Sequence, residues 1–498
     1  MKYSPIKICA YFVLTLLVLF GIMHLSVSKN LDTGKSQEGF FIGNVTVKYP
    51  TVSSFLEQTT IDKASLKNMD SIVANVEELV IEVEEVNEEG PIKNEKFVPK
   101  IPDLTQIDTS KVQRIDYPAD RAAFLSQLKS NLNNVNCRII HYGDSQLEGD
   151  RISAYLRNRL QNIYGGSGPG FAPIVQVYEN ISSVVSHSDN WTRYAYFDPT
   201  QEKFPHKKYG AYTSLSRFTP FYNTPIDSLL LDSLQVTKAT IGIGIPTKSY
   251  GLLKKFHKVG LHYGNALAPT TIKVYKDGVL IKSEHLISDG DYHRCAIDLA
   301  TTPSHLQIVL ESKISPDFYG LTLDGANGIS LDNVAMRGSS GTVFAGSNGD
   351  AFAQMYRQLD PKLIIFQYGG NSVPYLKDSI KVNQYVNYLK NHLRWVKQKT
   401  TNANIIFIGP SDMTTTDKGV LKTYPLLPYL NETLKKTCLE NDIAYWSMFD
   451  AMGGENSMEH WVNQKLAATD YTHFSPSGTK VISELFFLTL YLDLTDIQ

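Results

Sequence analysis

CRIIHYGDSQ, residues 137–146, decides how the rest of the chain is read. Cys137–Tyr142 is a short apolar run that stops at Gly143, the pattern of a buried strand entering a tight turn. Beyond the turn, Asp150–Tyr164 places Ile152, Tyr155, Leu156 and Leu160 on one stripe of a helix. Before it, Ala119–Leu132 follows Pro118 with helical spacing through Ala123, Leu125 and Leu128. Strand, loop and helix in this order open an α/β unit.

The pattern changes further along. From about Gly170 to Asn327 helical spacing gives way to short β-rich pieces: Ser182–Ser186, Arg193–Phe197, Thr237–Ile245, Thr271–Tyr275 and Leu306–Glu311. Lys276-Asp277-Gly278 carries the Asp-Gly hairpin signal. Short strands at turn-punctuated intervals predict a β-sandwich. At Ile329 the alternation of strand and helix resumes. Leu331–Met336, Leu363–Tyr368, Asn404–Ile408 and Ile443–Trp446 read as strands. Ala351–Leu359, Val382–Lys397, Tyr429–Glu440 and Thr479–Leu492 read as helices. That rhythm predicts a parallel sheet covered on both faces, with the β block set into the α/β domain.

The 498 residues are 42% hydrophobic and 20% charged, which excludes a wholly disordered chain. A net charge of −2 argues against nucleic-acid binding by bulk electrostatics. The four cysteines (Cys9, Cys137, Cys295, Cys438) are scattered, with no C-x-x-C, so neither a zinc ribbon nor a disulfide scaffold is expected. No metal, nucleotide or nicotinamide motif appears, and no cofactor is expected. The charge is unevenly distributed: residues 1–28 carry +2, residues 29–110 carry −7, and the remainder +3. Lys2 and Lys7 precede an uncharged apolar run, Ile8 to Leu25, which reads as a signal anchor placing the body outside the cytoplasm. Ser26-Val27-Ser28 offers a mediocre cleavage site. The acidic stretch that follows reads as a solvated spacer, with a short heptad-like stripe through Ile72, Val76, Leu79, Val83 and Val86.

In open parallel sheets, active groups collect beyond the carboxyl ends of the strands. Four polar segments fall at such positions or in the loop before the last helix. They are Gly143-Asp144-Ser145-Gln146, Arg337-Gly338-Ser339-Ser340-Gly341, Gly369-Gly370-Asn371 and Asp470-Tyr471-Thr472-His473. A serine hydroxyl needs a neighbouring base, which His473 supplies, and Asp470 three residues earlier suits the other ring nitrogen. The Ser145 and Gly338 N–H groups and the Asn371 amide are candidate donors to a tetrahedral oxyanion, with Asp144 in support. Gly338 competes for its role with Gly341 and with the cluster Gly165–Gly170. Glu148 and Asp150 are expected to be acids favoured by a helix N-terminus, and His141 an ordinary strand residue. His460 and Trp461 are expected to form a surface pair. The tyrosines and tryptophan of the β block are expected in its core.

In order and spacing, these four blocks resemble those of the SGNH (GDSL) hydrolases, with Gln146 where the family name has Leu. The resemblance covers residues ~115–165 and ~328–495. It implies a three-layer α/β/α hydrolase domain, split between residues 111–170 and 328–498. It also implies an acyl-serine mechanism through Ser145, His473 and Asp470. The inserted block, residues 171–327, resembles the carbohydrate-binding-like, jelly-roll-like β-sandwich of bacterial peptidoglycan O-acetylesterases. The expectation is therefore a serine ester hydrolase that removes O-acyl groups from a cell-envelope or extracellular glycan. It would be anchored through residues 1–28 and stood off by residues 29–110, with its body in the periplasm or extracellular space. Two alternatives remain: an O-acyltransferase fed by an integral membrane partner, and an inactive glycan-binding protein.

Overall fold

The structure is a computed structural model. It describes residues 97–496 except 106, 223–226 and 418, together with short pieces at 11–15, 18, 40–42 and 45–47. The chain divides into two compact units, Met1–Lys63 with Thr416–Leu421, and Ala64–Thr415 with Lys422–Gln498. In the first, Phe40–Ile42 pairs antiparallel with Val45–Val47. Most of the apolar run Ile8–Leu25, the acidic spacer and its heptad stripe lie outside the described residues. Among the described residues no helix is long and apolar enough to cross a membrane.

The second unit holds both the α/β sheet and the sandwich. Five strands form the parallel sheet: β1 (Asn136–Gly143), β2 (Gly328–Ala335), β3 (Pro361–Gln367), β4 (Asn404–Ile408) and β5 (Ala444–Trp446). Their spatial order is β2-β1-β3-β4-β5. The longer helices that accompany them among the described residues are α1 (Arg121–Leu132), α2 (Arg151–Tyr164), α3 (Gly349–Leu359), α4 (Ser379–Lys397), α5 (Leu427–Leu439) and α6 (Pro476–Thr495). Alternation along the strands gives each face its own core. Ile139, Leu331, Ile365, Ile406 and Trp446 pack with α1, α2 and α6. Ile140, Val334, Ile364, Phe407 and Tyr445 pack with α3, α4 and α5. Helix starts are fixed by side-chain caps: Asp120 accepts from the Ala123 N–H, Asp378 from Lys381, and Ser475 from Gly478 with Pro476 behind it.

Between α2 and β2 the chain builds an all-antiparallel sandwich. One sheet runs Val279–His285, Thr270–Lys276, His305–Ser312, Thr237–Gly244, Val184–His187. The other runs His293–Asp298, Lys258–Gly264, Asp317–Asp324, Ser214–Arg217, Thr192–Ala195, with Gly170–Ala172 also pairing on Asp317–Asp324. Ile241, Ile243, Val259, Leu261, Ile308 and Leu321 are among the residues that fill the space between the sheets. The Asp277-Gly278 turn has positive φ at both residues (48° and 84°), as a type I′ hairpin requires.

Glycine marks the crossing into the insert. Gly170 has φ 70°, and a Cβ there would collide with the Leu331 carbonyl oxygen, so the Gly165–Gly170 cluster is a close backbone crossing against β2. Charge ties the insert to the sheet nearby. Arg138 on β1 reaches Asp324 at 2.5 Å and Asp332 at 2.6 Å, and Asp332 also accepts from the Tyr212 hydroxyl at 2.9 Å.

Candidate active site

The sheet order places β2 on one side of β1 and β3 on the other. The connections therefore diverge at the β1/β3 boundary, leaving a crevice beyond their carboxyl ends. A cavity of about 340 Å³ occupies it, bordered by Ser145, Gly338, Asn371 and His473 among others.

Each group arrives on a separate turn. Asp144 caps the turn after β1 by accepting from the Gln146 N–H at 3.0 Å, and Ser145 begins a 3-10 segment that kinks at Gly149 into α2. The Ser145 Oγ lies 2.9 Å from His473 Nε2. The His473 Nδ1 lies 2.7 Å from Asp470 Oδ2, and Asp470 Oδ1 accepts from the His473 backbone N–H at 3.0 Å. With Nδ1–H donating to the carboxylate, Nε2 is left as the acceptor facing the serine. Asp470 is half exposed. Burial raises its pKa, but the His473 and Thr472 backbone N–H groups and the imidazole outweigh that, and the net shift is downward. It stays ionised through the neutral range.

Gly338 and Gly341 are separated by their surroundings. A Cβ on Gly338 would meet nothing within 4 Å, whereas one on Gly341 would press on Tyr368 and Leu389 at 2.9 Å. Gly338 borders the cavity with φ 74°; Gly341 is packed. The Ser145 and Gly338 N–H groups make no hydrogen bond among the described residues, so both are available to an incoming oxygen. Asn371 is not: its Nδ2 donates to Asp144 Oδ2 and to the Ser339 carbonyl, each at 3.1 Å. An amide NH₂ has two hydrogens, and these acceptors take both. Burial pushes the Asp144 carboxyl up to about 6, against the Gln146 N–H and the His473 charge.

Two contributors had no sequence signal of their own. Gln146 Nε2 donates to the Thr472 carbonyl at 2.8 Å, tying the nucleophile turn to the histidine loop. Arg151 donates to the carbonyls of Glu148, Ser145 and Phe474 at 3.0–3.3 Å, bracing the same two segments.

Other expectations are corrected or refined. Trp461 is fully buried and donates to the Met452 carbonyl at 3.0 Å, so it is a core residue and not half of a surface pair. Asp150 occupies the N-cap of α2 but makes no capping bond; its carboxylate pairs with buried Arg157 at 2.7 Å. His141 is a buried strand residue: burial lowers its pKa to about 3, and its Nδ1 lies 3.0 Å from the Ser153 hydroxyl. Trp191 lies in the sandwich core as expected, Tyr212 is buried instead against one face of the parallel sheet, and Tyr178 is 43% exposed.

A serine–histidine–aspartate relay beyond a parallel sheet of this order, with a sandwich set into it, is an arrangement similar to that of SGNH-type folds. No protein-family model and no curated protein matches the chain. Among solved structures, a peptidoglycan O-acetylesterase is similar over 76% of this chain and 99% of its own, with a TM-score of 0.58 at 20% identity. A family two carbohydrate esterase from Clostridium thermocellum matches over 52% of this chain and 93% of its own (TM-score 0.25, 11% identity). One from Cellvibrio japonicus covers 63% and 100% (TM-score 0.24, 10% identity). The first of these shows that the fold is shared along nearly the whole of the neighbour.

Proposed function

We propose that this protein is a serine esterase that removes O-acyl groups, acetyl first among them, from a cell-envelope or extracellular glycan. The observation that carries the reading is the continuous relay Ser145–His473–Asp470 at 2.9 and 2.7 Å, opening on a cavity with two unused backbone donors. Ser145 Oγ attacks the ester carbonyl while His473 Nε2 takes its proton. The oxyanion is met by the Ser145 and Gly338 N–H groups, and by Asn371 once it gives up one of its two acceptors. On collapse, His473 returns the proton to the departing sugar oxygen, leaving an acyl-serine. Water then attacks that ester, His473 takes its proton and returns it to Ser145, and the carboxylic acid leaves.

The fold shared with a peptidoglycan O-acetylesterase supports the choice of substrate class. The same reading keeps residues 1–28 as a membrane anchor, residues 29–110 as a spacer and residues 171–327 as a jelly-roll-like, glycan-facing module. The enzyme would then work on polymer outside the cytoplasm. Acetate release from O-acetylated peptidoglycan and from 4-nitrophenyl acetate tests it. The wild type is expected to release acetate from both, and Ser145→Ala from neither. Equal release by the two proteins would refute the reading. Acetyl groups that appear only on an added glycan, with no free acetate, would favour the acyltransferase instead.

A further inference from the structure

Asp144 stands next to the nucleophile in the chain, yet the acyl-transfer steps give it no part. Its side chain is buried, and each of its two oxygens has its own donor. Oδ1 accepts from the Gln146 N–H at 3.0 Å, and Oδ2 accepts from Asn371 Nδ2 at 3.1 Å. Only an ionised carboxyl accepts at both ends. The isosteric amide of asparagine would turn an NH₂ on one of the two donors, and a protonated carboxyl would turn an O–H on one of them.

The acceptors also decide which end of the Asn371 amide faces them. The Asp144 carboxylate and the Ser339 carbonyl can only accept, so the group that meets both, at 3.1 Å each, has to be the NH₂ and not the amide oxygen. Turned the other way, the amide would set an oxygen against two oxygens. The two bonds are unequal, because a hydrogen bond to an ionised acceptor is roughly twice as strong as one between neutral groups. The bond to Ser339 is therefore the one given up when an oxyanion forms, and the bond to Asp144 stays.

We infer that Asp144 is a positioning residue: its carboxylate holds the Asn371 amide so that one hydrogen is free to turn from the Ser339 carbonyl onto the oxyanion. The inference rests on the esterase reading and deepens it. Asp144 acts through Asn371 and does not touch the ester. A dependence on pH follows. Burial pushes the Asp144 carboxyl up to about 6, so it is ionised at neutral pH and gains a proton as the pH falls through that value. The His473 imidazole and the Glu148 carboxyl face it from the histidine loop and the nucleophile turn. Tyr368 after β3 and Tyr385 of α4 also face it, and burial keeps both phenols protonated.

The test uses the full chain with 4-nitrophenyl acetate as substrate. Asp144→Asn is expected to lower kcat about 10–10²-fold with KM within about twofold, since the misaligned amide matters only once the oxyanion forms. In an Asn371→Ala background the same change should cost less than about threefold, because the single amide oxygen then suffices for the Gln146 N–H. A second readout leaves Asp144 in place. Below about pH 6, log kcat/KM of the wild type should fall by more than about one unit per pH unit, as Asp144 and His473 must both be deprotonated. Asn371→Ala, in which His473 and Glu148 still titrate, should show the shallower acid limb. A kcat for Asp144→Asn within about threefold of wild type, or its full cost persisting in the Asn371→Ala background, would overturn the positioning role while leaving the esterase standing. Should Asp144→Asn fail to fold, parallel acid limbs in the wild type and Asn371→Ala would do the same. A wild type no faster than Ser145→Ala would refute the esterase reading, and this role with it.

Discussion

Asn371 has two partners for its amide before any substrate arrives. Its NH₂ holds Asp144 Oδ2 and the Ser339 carbonyl together, pinning the turn after β3 to the turns after β1 and β2. To meet an oxyanion it must exchange one of these bonds, so its contribution belongs to the transition state and not to substrate binding. Asn371→Ala is expected to lower kcat on 4-nitrophenyl acetate about 10²–10³-fold with little change in KM. A fall of less than about threefold would assign the oxyanion to the Ser145 and Gly338 N–H groups alone. At this scale the sequence was legible wherever a residue type carries its own chemistry: serine, histidine, aspartate, and a glycine at a strand end. Gln146 and Arg151 were not legible. Their partners are backbone carbonyls, and those of Thr472 and Phe474 lie more than 300 residues away. A carbonyl is the same in every residue.

The nucleophile turn depends on the element that follows it. Asp150 opens α2 in the left-handed region (φ 64°) and meets Arg157 two turns on, both side chains almost wholly buried. Arg157 also donates to the Leu331 carbonyl of β2 at 2.7 Å, so the pair joins α2, the catalytic turn and the neighbouring strand. Arg157→Met removes the cation and leaves the Asp150 carboxylate buried. Unfolding in urea is expected to show a loss of about 3–5 kcal/mol, and a loss under about 1 kcal/mol would show that the carboxylate finds water instead. The elements themselves were largely readable. Asn404–Ile408 was bounded to the residue, and the other four strands of the parallel sheet within about three residues, because buried parallel strands are dense apolar runs. The sandwich was read less completely. Lys258–Gly264 and Asp317–Asp324 escaped notice because glycine, histidine and aspartate interrupt them. The interruptions are paid for in three dimensions: His262 is buried between the Tyr292 and Thr322 hydroxyls at 2.7 and 3.0 Å. Asp317 is held by Arg217 and Asn265. Periodicity along one strand carries no trace of partners on another.

Across the whole molecule, the serine and the histidine that faces it stand 328 positions apart in the chain. It brings them together by folding around an insertion. The β2-β1-β3-β4-β5 order returns the chain to the same sheet after the sandwich is built, and α6 packs on the face that carries α2. The histidine loop thereby arrives over the turn after β1. The insert contributes no group to the relay; it borders a neighbouring cavity. Under the esterase reading this assembly activates Ser145 as a nucleophile, whatever ester it acts on. Reaction with a fluorophosphonate tests it directly, since the serine oxygen displaces fluoride and retains the phosphonyl group in an adduct that mass spectrometry locates. A single adduct on Ser145 is expected in the wild type, formed at least about 10³-fold more slowly when His473 is replaced by Gln. An unlabelled Ser145, or one labelled equally fast in wild type and His473→Gln, would contradict it.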